Sequence, residues 1–507
     1  MSSNAKTESQ TIHDRLGHPV IDSDGHWREF EPIALEYLKD TAGQKAVERW
    51  TSRLRALGEG DFAKMTPQER LDRRASQPAW WGLPVKNTID LATSFIPRLM
   101  HDRLEEMGLD FAILYPTHCQ LFAPYIGDEE LRRAGCHAFN QFAIDTWAEY
   151  ADRVTPIGAI PMHTPEEAIA ELEHCKKIGI KAVALGSLIR RSIPEADKLG
   201  VSRRYACWMD VLGIDSIYDY DPVWRKCEEL GYPVTFHSAA SNFGLRNSIS
   251  NFVYNHIGHF GEAGDAVAKA LFIGGVTRRF PRLRFAFLEG GVGWGCNLLA
   301  ALISHWEKRN RESIQELNPA NLDREGLATF FKQYASEKMN AKFAEFDQMM
   351  MRGGMGKAAP TEVDDFAAAR IDRKSDIRDL FVPKFFFGCE SDDPTVTYAF
   401  SPANPFGAKL GAVLSSDISH FDVPDMTEVL EEAWELVEEK GMSEEDFHAF
   451  SFGNAVRLWA SLNPDFFKGT TVEKQARELI AREERPQQAA GASLGSIPIP
   501  PPDQGEV

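Results

Sequence analysis

Residues 154–187 read VTPIGAIPMHTPEEAIAELEHCKKIGIKAVALGS, and their order decides the fold. The stretch opens with an apolar run, 154–162, and closes with another, 181–187. Between them lies a complete helix grammar. Thr164 stands at the N-cap and Pro165 at the first helical position. Glu166 and Glu167 fill the first turn, and Lys176 and Lys177 precede the stop at Gly179. Strand, helix, strand in that order means two parallel strands joined by a crossover helix.

Working outward, six further short apolar runs bounded by turn signals appear: 20–26 (VIDSDGH), 111–116 (FAILYP), 233–238 (PVTFHS), 284–290 (RFAFLEG), 385–390 (FFFGCE) and 411–417 (GAVLSSD). Near-continuous apolar character is what parallel strands covered on both faces require. Residues 128–153 read as one helix, and 221–231 (DPVWRKCEELG) repeat the capping grammar. Eight strands alternating with helices predict an α/β fold, a (β/α)8 TIM barrel over residues 20–484. Three long insertions, expected to be helical, follow strands one, four and six: 27–108, 188–219 and 305–384. Insertions after strands lie at the C-terminal mouth of a barrel, where lids and substrate walls are built. Residues 1–19 form an N-terminal arm. The Pro-, Gly- and Gln-rich segment 485–507 is expected to be a mobile tail or an arm embracing a neighbouring subunit.

Composition narrows the function. Of 507 residues, 43% are hydrophobic and 26% charged, as in soluble globular proteins, so a large core forms without staples. Asp plus Glu outnumber Lys plus Arg by 75 to 56, a net charge of −19, which argues against gripping a phosphate backbone. Seven cysteines without a CxxC pair fit reduced thiols in the cytoplasm. The N-terminal residues carry no apolar stretch of signal-peptide type, and no run approaches a membrane span. The expected partner is a small-molecule substrate, with neither nucleic acid nor membrane.

The chemistry sits where the strands end. Strand one ends Asp22-Ser23-Asp24-Gly25-His26, and a two-residue period puts both acids and the imidazole on one face. Strand five ends at His237, strand six at Glu289, strand seven at Glu390, and strand eight at Asp417 with His420 shortly after. In a barrel these groups converge. Carboxylates and imidazoles together suit Zn, Mn or Fe, and a divalent cation relieves the cost of burying several acids. Each residue alone has a plainer fate, a hydrogen-bonded core side chain; the joint pattern over five strands points to the metal. His256 and His259, three apart, share one helix face. Counting Asp24, His26, His237, His259, Glu289, Glu390 and Asp417 gives more candidates than one ion needs. That surplus implies either two metals or an outer ring of supporting groups. Candidate substrate contacts are His118, Arg190, Trp81 and His420, with Arg191, Arg73, Trp80 and Phe122 weaker; surface Arg and core Trp are the common alternatives.

Six phrases together are specific: IDSDGH, IPMHTPEEAIAELEHCKKIGIKAVALG, YPVTFHS, FPRLRFAFLEGGVGW, LSSDISHFD and GNAVRLW. The chain resembles the amidohydrolase superfamily in its amidohydrolase-2 branch, with its aminocarboxymuconate-semialdehyde and resorcylate decarboxylase relatives. The resemblance implies a divalent metal on Asp24, His26, His237 and Asp417. Asp24 replaces the first His of the family's His-x-His, and Glu289 replaces a strand-six His that transfers protons. Glu289 is therefore expected as a carboxylate base or as a metal ligand. No carbamylated-Lys signature ends strand four.

Three functions stay open. The first is hydrolysis or non-oxidative decarboxylation of a carboxylated, possibly aromatic, substrate, with Glu289, Asp417 and His237 as catalytic groups. The second is a non-haem diiron monooxygenase on the same barrel, with His259, Glu289 or Glu390 serving a second iron. The third is a metal-stabilised ligand-binding barrel without catalysis. A homodimer is expected by family habit.

Overall fold

The computed structural model describes residues 6–57, 59–79, 84–237, 240, 244–352 and 363–493. Ten strands occur among them. They are β1 (Ile21–Trp27), β2 (Phe111–Pro116), β3 (Val154–Ile160), β4 (Ala182–Leu185), β5 (Ile189–Ser192), β6 (Cys207–Asp210), β7 (Val234–Phe236), β8 (Phe285–Phe287), β9 (Phe385–Cys389) and β10 (Gly411–Leu414). Eight make one parallel sheet in the order β1-β2-β3-β4-β7-β8-β9-β10. Just beyond β10 the chain returns to β1: Asp417 N donates to Asp24 O, and His26 N to Ile418 O, both at 3.1 Å. The fold is the (β/α)8 barrel read from the sequence.

Alternate strand residues divide into two packed layers. Ile21, Phe111, Ile113, Tyr115, Ile157, Ala286 and Phe386 fill the barrel interior with Phe452, Val456 and Trp459 from the C-terminal helices. Ala112, Leu114, Val183, Val234, Phe285 and Phe387 pack outward against the surrounding helices. The helix Pro165–Ile178 forms as its sequence dictates. Thr164 and Glu167 complete a capping box, and Gly179 closes the helix in the left-handed conformation at φ 91°. Asn454 Nδ2 donates to Ala412 O at 2.8 Å and pins β10, a structural role.

Three expectations change. The helix expected over 128–153 ends at Trp147, followed by a 3-10 turn, Ala148–Tyr150. The insertion after β4 is not mainly helical: β5 and β6 form an antiparallel hairpin around one short helix, Pro194–Lys198. Its cause is a two-residue alternation, Ile189 and Arg191 buried with Arg190 exposed between them. The final helix, Glu473–Ser493, runs into the segment expected as a tail; residues 494–507 lie outside the described residues. The insertions after β1 and β8 are helical, as in Glu31–Ala42, Thr88–Phe95 and Arg324–Tyr334. All seven cysteines are unpaired. Among the described residues no helix is long and apolar enough to cross a membrane.

Candidate metal centre

Every strand-end group of interest arrives at the C-terminal mouth. Asp24 and His26 come from β1, where all seven residues are buried although three of them can carry charge. A register shift against β2 lies between Asp22 and Gly25. It separates Asp22 from the other two: Asp22 accepts from Ser416 Oγ at 2.5 Å, Ser416 N at 3.0 Å and Asp24 N at 3.1 Å. Asp22 is thus a clasp between β1 and the end of β10, and the simple period expected along VIDSDGH does not hold.

The remaining groups crowd together. His26 Nε2 stands 3.2 Å from Asp417 Oδ1 and 3.6 Å from Asp24 Oδ1. His237 Nε2 stands 2.9 Å from Glu289 Oε2 and 3.8 Å from Asp24 Oδ1. His420 Nδ1 lies 2.6 Å from Asp417 Oδ1, and its ring stacks on His26 with centroids 3.9 Å apart. Donor atoms of Asp24, His26 and His237 fall within 4.8 Å of one another, as do those of His26, Glu289, Asp417 and His420. Glu289, Glu390 and Asp422 form an adjoining set that shares Glu289.

These approaches lack hydrogen-bond geometry. Both oxygens of Asp24, both nitrogens of His26, His237 Nε2, Glu289 Oε2 and both oxygens of Asp417 are buried with no hydrogen-bond partner. Such orphaned groups are costly. Burial holds the Asp24, Glu289 and Asp417 carboxyls well above the ordinary carboxylate range, and the charge of Glu289 raises Asp417 further. Glu390 is pushed up to about 8 by burial and by Glu289. Burial holds His26 well below its usual value and brings His420 down to about 4. Neutral imidazoles and crowded carboxyls, with the donor atoms of Asp24, His26 and Asp417, His237 Nε2 and Glu289 Oε2 unpartnered, are the donor set of a divalent cation, so these residues fit the metal that the sequence implies.

The other candidates are placed as follows. His256 ends one short helix, Phe252–His256, and His259 begins the next, His259–Ile273, after a left-handed turn at Gly258, so the two do not share a helix face as expected; the His259 ring lies against Phe260 and His256 at 4.0 and 4.6 Å, outside the three ligand sets. His118 is partly exposed, 3.8 Å from Glu31 Oε1. Arg190 is on the exposed side of the β5–β6 hairpin. Arg191 is buried and structural, binding Asp210, Tyr220 and His163 O. Trp81 lies outside the described residues.

Sequence reasoning missed four residues. Asp422 joins Glu289 and Glu390. Tyr115 lies beside His26 and His237 and is fixed by Thr235 at 2.8 Å; its place in the alternation of FAILYP signalled an inward side chain. Thr117 Oγ1 meets His420 Nε2 at 3.3 Å. Buried Glu29 accepts from Thr117 N, His118 N and Gln120 N, shaping the loop after β2; nothing in the sequence marks it. A cavity of about 1110 Å³ opens beside Glu289, Glu390 and Asp422, walled by Arg246, Tyr254, His256 and Trp294.

The fold and site together define an α/β barrel with a candidate metal centre of imidazoles and carboxyls at its mouth. The family resemblance read from the sequence is found independently: residues 117–339 match the model of the family described as Amidohydrolase. That segment includes His237 and Glu289, whereas Asp24, His26 and Asp417 lie outside it. Three solved structures similar to this chain serve as examples. One is 2,6-dihydroxybenzoate decarboxylase from Rhizobium, at 13% identity, 87% of this chain, 98% of that one and TM-score 0.43. Another is 5-carboxyvanillate decarboxylase from Novosphingobium aromaticivorans, complexed with manganese and 4-hydroxy-3-methoxy-5-nitrobenzoic acid, at 14%, 90%, 99% and 0.45. The third is Metarhizium anisopliae IDCase in apo form, at 12%, 88%, 98% and 0.49.

Proposed function

We propose that this chain is a metal-dependent enzyme, a carboxy-lyase or hydrolase of amidohydrolase type, with one divalent cation held by Asp24, His26, His237 and Asp417. The observation that carries the reading is the buried, unpartnered donor atoms on those four residues and Glu289, which fall in two close sets sharing His26. Bound there, a divalent cation supplies Lewis acidity to a substrate carboxylate or hydroxyl, or to water.

The chain's own groups then divide the work. Glu390, whose carboxyl is pushed up to about 8 by burial and by Glu289 when no cation is bound, borders the cavity. In decarboxylation the bond from carbon to CO₂ breaks, its electron pair stays on carbon, and a Glu390 or Glu289 carboxyl delivers the proton that forms the new C–H bond. In hydrolysis Glu289 or Asp417 instead takes a proton from water. Cavity volume suits a substrate of drug-like size. Arg246 and Trp294 supply cationic and aromatic walls for a carboxylated, ring-bearing molecule. His420 and His118 belong to this reading as substrate-side groups; Arg190, on an exposed face, adds nothing to it.

Metal content per chain, on protein purified without chelator or added metal, is measured beside CO₂ release from a panel of hydroxyaromatic acids. Alanine at His26, His237 or Asp417 is expected to lower metal content and abolish turnover. Retention of both by all three variants overturns the assignment. Glu289→Gln separates roles: loss of metal marks a ligand, whereas loss of turnover with metal retained marks the proton-transfer group.

A second reading rests on the adjoining set of Glu289, Glu390 and Asp422. On this reading Glu289, Glu390 and Asp422 would hold a second iron beside the first, and the pair would supply the O₂ chemistry of a non-haem diiron monooxygenase. Two irons at the mouth together with substrate-dependent O₂ consumption would select it.

A further inference from the structure

A fourth group of ligand-type side chains lies outside the barrel mouth, in the helical layer. The helix Glu129–Trp147 contributes His137, and the helix Pro165–Ile178 contributes Glu171 and His174. Glu171 and His174 are three residues apart and share one helix face. One donor atom from each of the three lies within 4.8 Å of the others. The two imidazoles stack with centroids 3.5 Å apart.

Two details distinguish this group from a chance surface cluster. Glu171 is only 6% exposed, and its Oε1 accepts from Asn140 Nδ2 at 2.7 Å, leaving Oε2 at 3.7 Å from His137 Nδ1. Asn140 is itself fixed by Ala159 N, Ala159 O and Gln120, so the carboxylate is held from behind, as metal-binding carboxylates are. In addition, His174 Nε2 is buried without a hydrogen-bond partner. A cation on that nitrogen removes the cost of leaving it bare.

We propose that His137, Glu171 and His174 form a second metal site, independent of the mouth, for a borderline divalent cation such as Zn²⁺ or Co²⁺. Two imidazoles and one carboxylate favour these ions over Mg²⁺ or Ca²⁺. Tetrahedral zinc donors stand about 3.3 Å apart. His137 is half exposed, and rotation of its side chain closes the set. Water completes the coordination on the open side. The ion would strap together two helices that pack on each other and on β3, and metal analysis would count it as though it belonged to a dinuclear mouth.

The test titrates Zn²⁺ into the full chain carrying its mouth metal, as wild type, H137A and H137A/H174A, by calorimetry. Wild type is expected to take about one equivalent more than the double variant. Its unfolding temperature is expected to rise with Zn²⁺ while that of the double variant does not. Equal stoichiometry and equal thermal response overturn the proposal. Because His137 is half exposed, H137A alone keeps the test valid should the double variant fold poorly. The mouth variant H26A is expected to keep the outer equivalent, so failure of the outer site and failure of the catalytic reading register separately.

Discussion

Removing the mouth metal is expected to make stability fall as pH rises from 7 to 8. Without a cation, Glu390 holds its proton up to about 8, against an ordinary value of 4.5. Between those values the folded chain binds one proton that the unfolded chain has lost. The slope of stability is 2.303RT times unfolded-minus-folded protons, so it is negative, about −1.4 kcal/mol per pH unit for each proton held. Stability from this group is complete below 4.5 and is lost as pH rises towards 8. Below 6.5 the buried imidazoles His26, His259 and His420 act in the opposite direction, because their folded values are depressed. Above pH 7 they are neutral in both states and drop out, as does Asp22, pushed up only to about 6. From pH 7 to 8 Glu390 alone therefore costs about 1 kcal/mol, and each further proton held by Asp24, Glu289 or Asp417 adds about 1.4. With about 2.1 cal/mol/K of unfolding entropy per residue, 1 kcal/mol moves Tm by about 1 °C in a chain this long. The measurement is Tm at pH 7 and 8 for metal-free protein, each minus the value for metal-loaded protein, so that groups remote from the mouth cancel. The difference is expected to widen with pH, because metal binding needs ionised carboxylates. A gap that stays constant or narrows refutes the reasoning.

Three further outcomes follow from single residues. Gly25→Ala puts a Cβ 2.5 Å from Asp22 Oδ2 and 3.0 Å from Leu114 Cδ2; a cost of about 1–3 kcal/mol and lower metal occupancy are expected, read by denaturant midpoint and metal analysis. Arg132→Ala strands the buried Glu167, which Arg132 contacts at 2.8 and 3.0 Å. A loss of about 3–5 kcal/mol should appear in urea unfolding with mouth metal content unchanged. Thr164→Ala removes one half of a capping box and is expected to cost about 1 kcal/mol by the same assay.

The eight barrel strands were legible because a strand covered on both faces must be apolar throughout, and the polar exceptions then mark the site. Asp24 and His26, at 0% and 1% exposure, could be found as charges inside an apolar run. The hairpin after β4 was hidden because burying Arg191 depends on Asp210, nineteen residues away, and the chain alone does not announce that pairing. Asp422 has no periodic context, and only the closure of β10 onto β1 brings its loop to Glu289. His137, Glu171 and His174 read as ordinary helix positions. Their meeting is set by how two neighbouring helices pack, a relation that no local spacing encodes.

Two of the mouth acids also carry unusual backbone. Glu289 at φ 56° and Asp417 at φ 54° are left-handed, a conformation that costs a non-glycine residue on the order of 1–3 kcal/mol. The surrounding bonds hold it: Asp417 N donates to Asp24 O, His26 N donates to Ile418 O, and Gly291 N donates to Gly388 O. Each bond lies within two residues of a candidate ligand, and two of the three also close the barrel, so these contacts aim its acids. A strand leaving the barrel in ordinary extended geometry would alternate its side chains past the mouth. The left-handed turn redirects one side chain at the end of β8 and one after β10 towards His237 and His26. Strain, closure and donor convergence are therefore one arrangement. Glycine at 289 or 417 is expected to relax the backbone and stabilise the metal-free fold, while removing a donor from the metal centre. A gain in Tm coupled to a loss of bound metal is the signature of that arrangement; a variant that loses both would show that these side chains support the fold rather than the site.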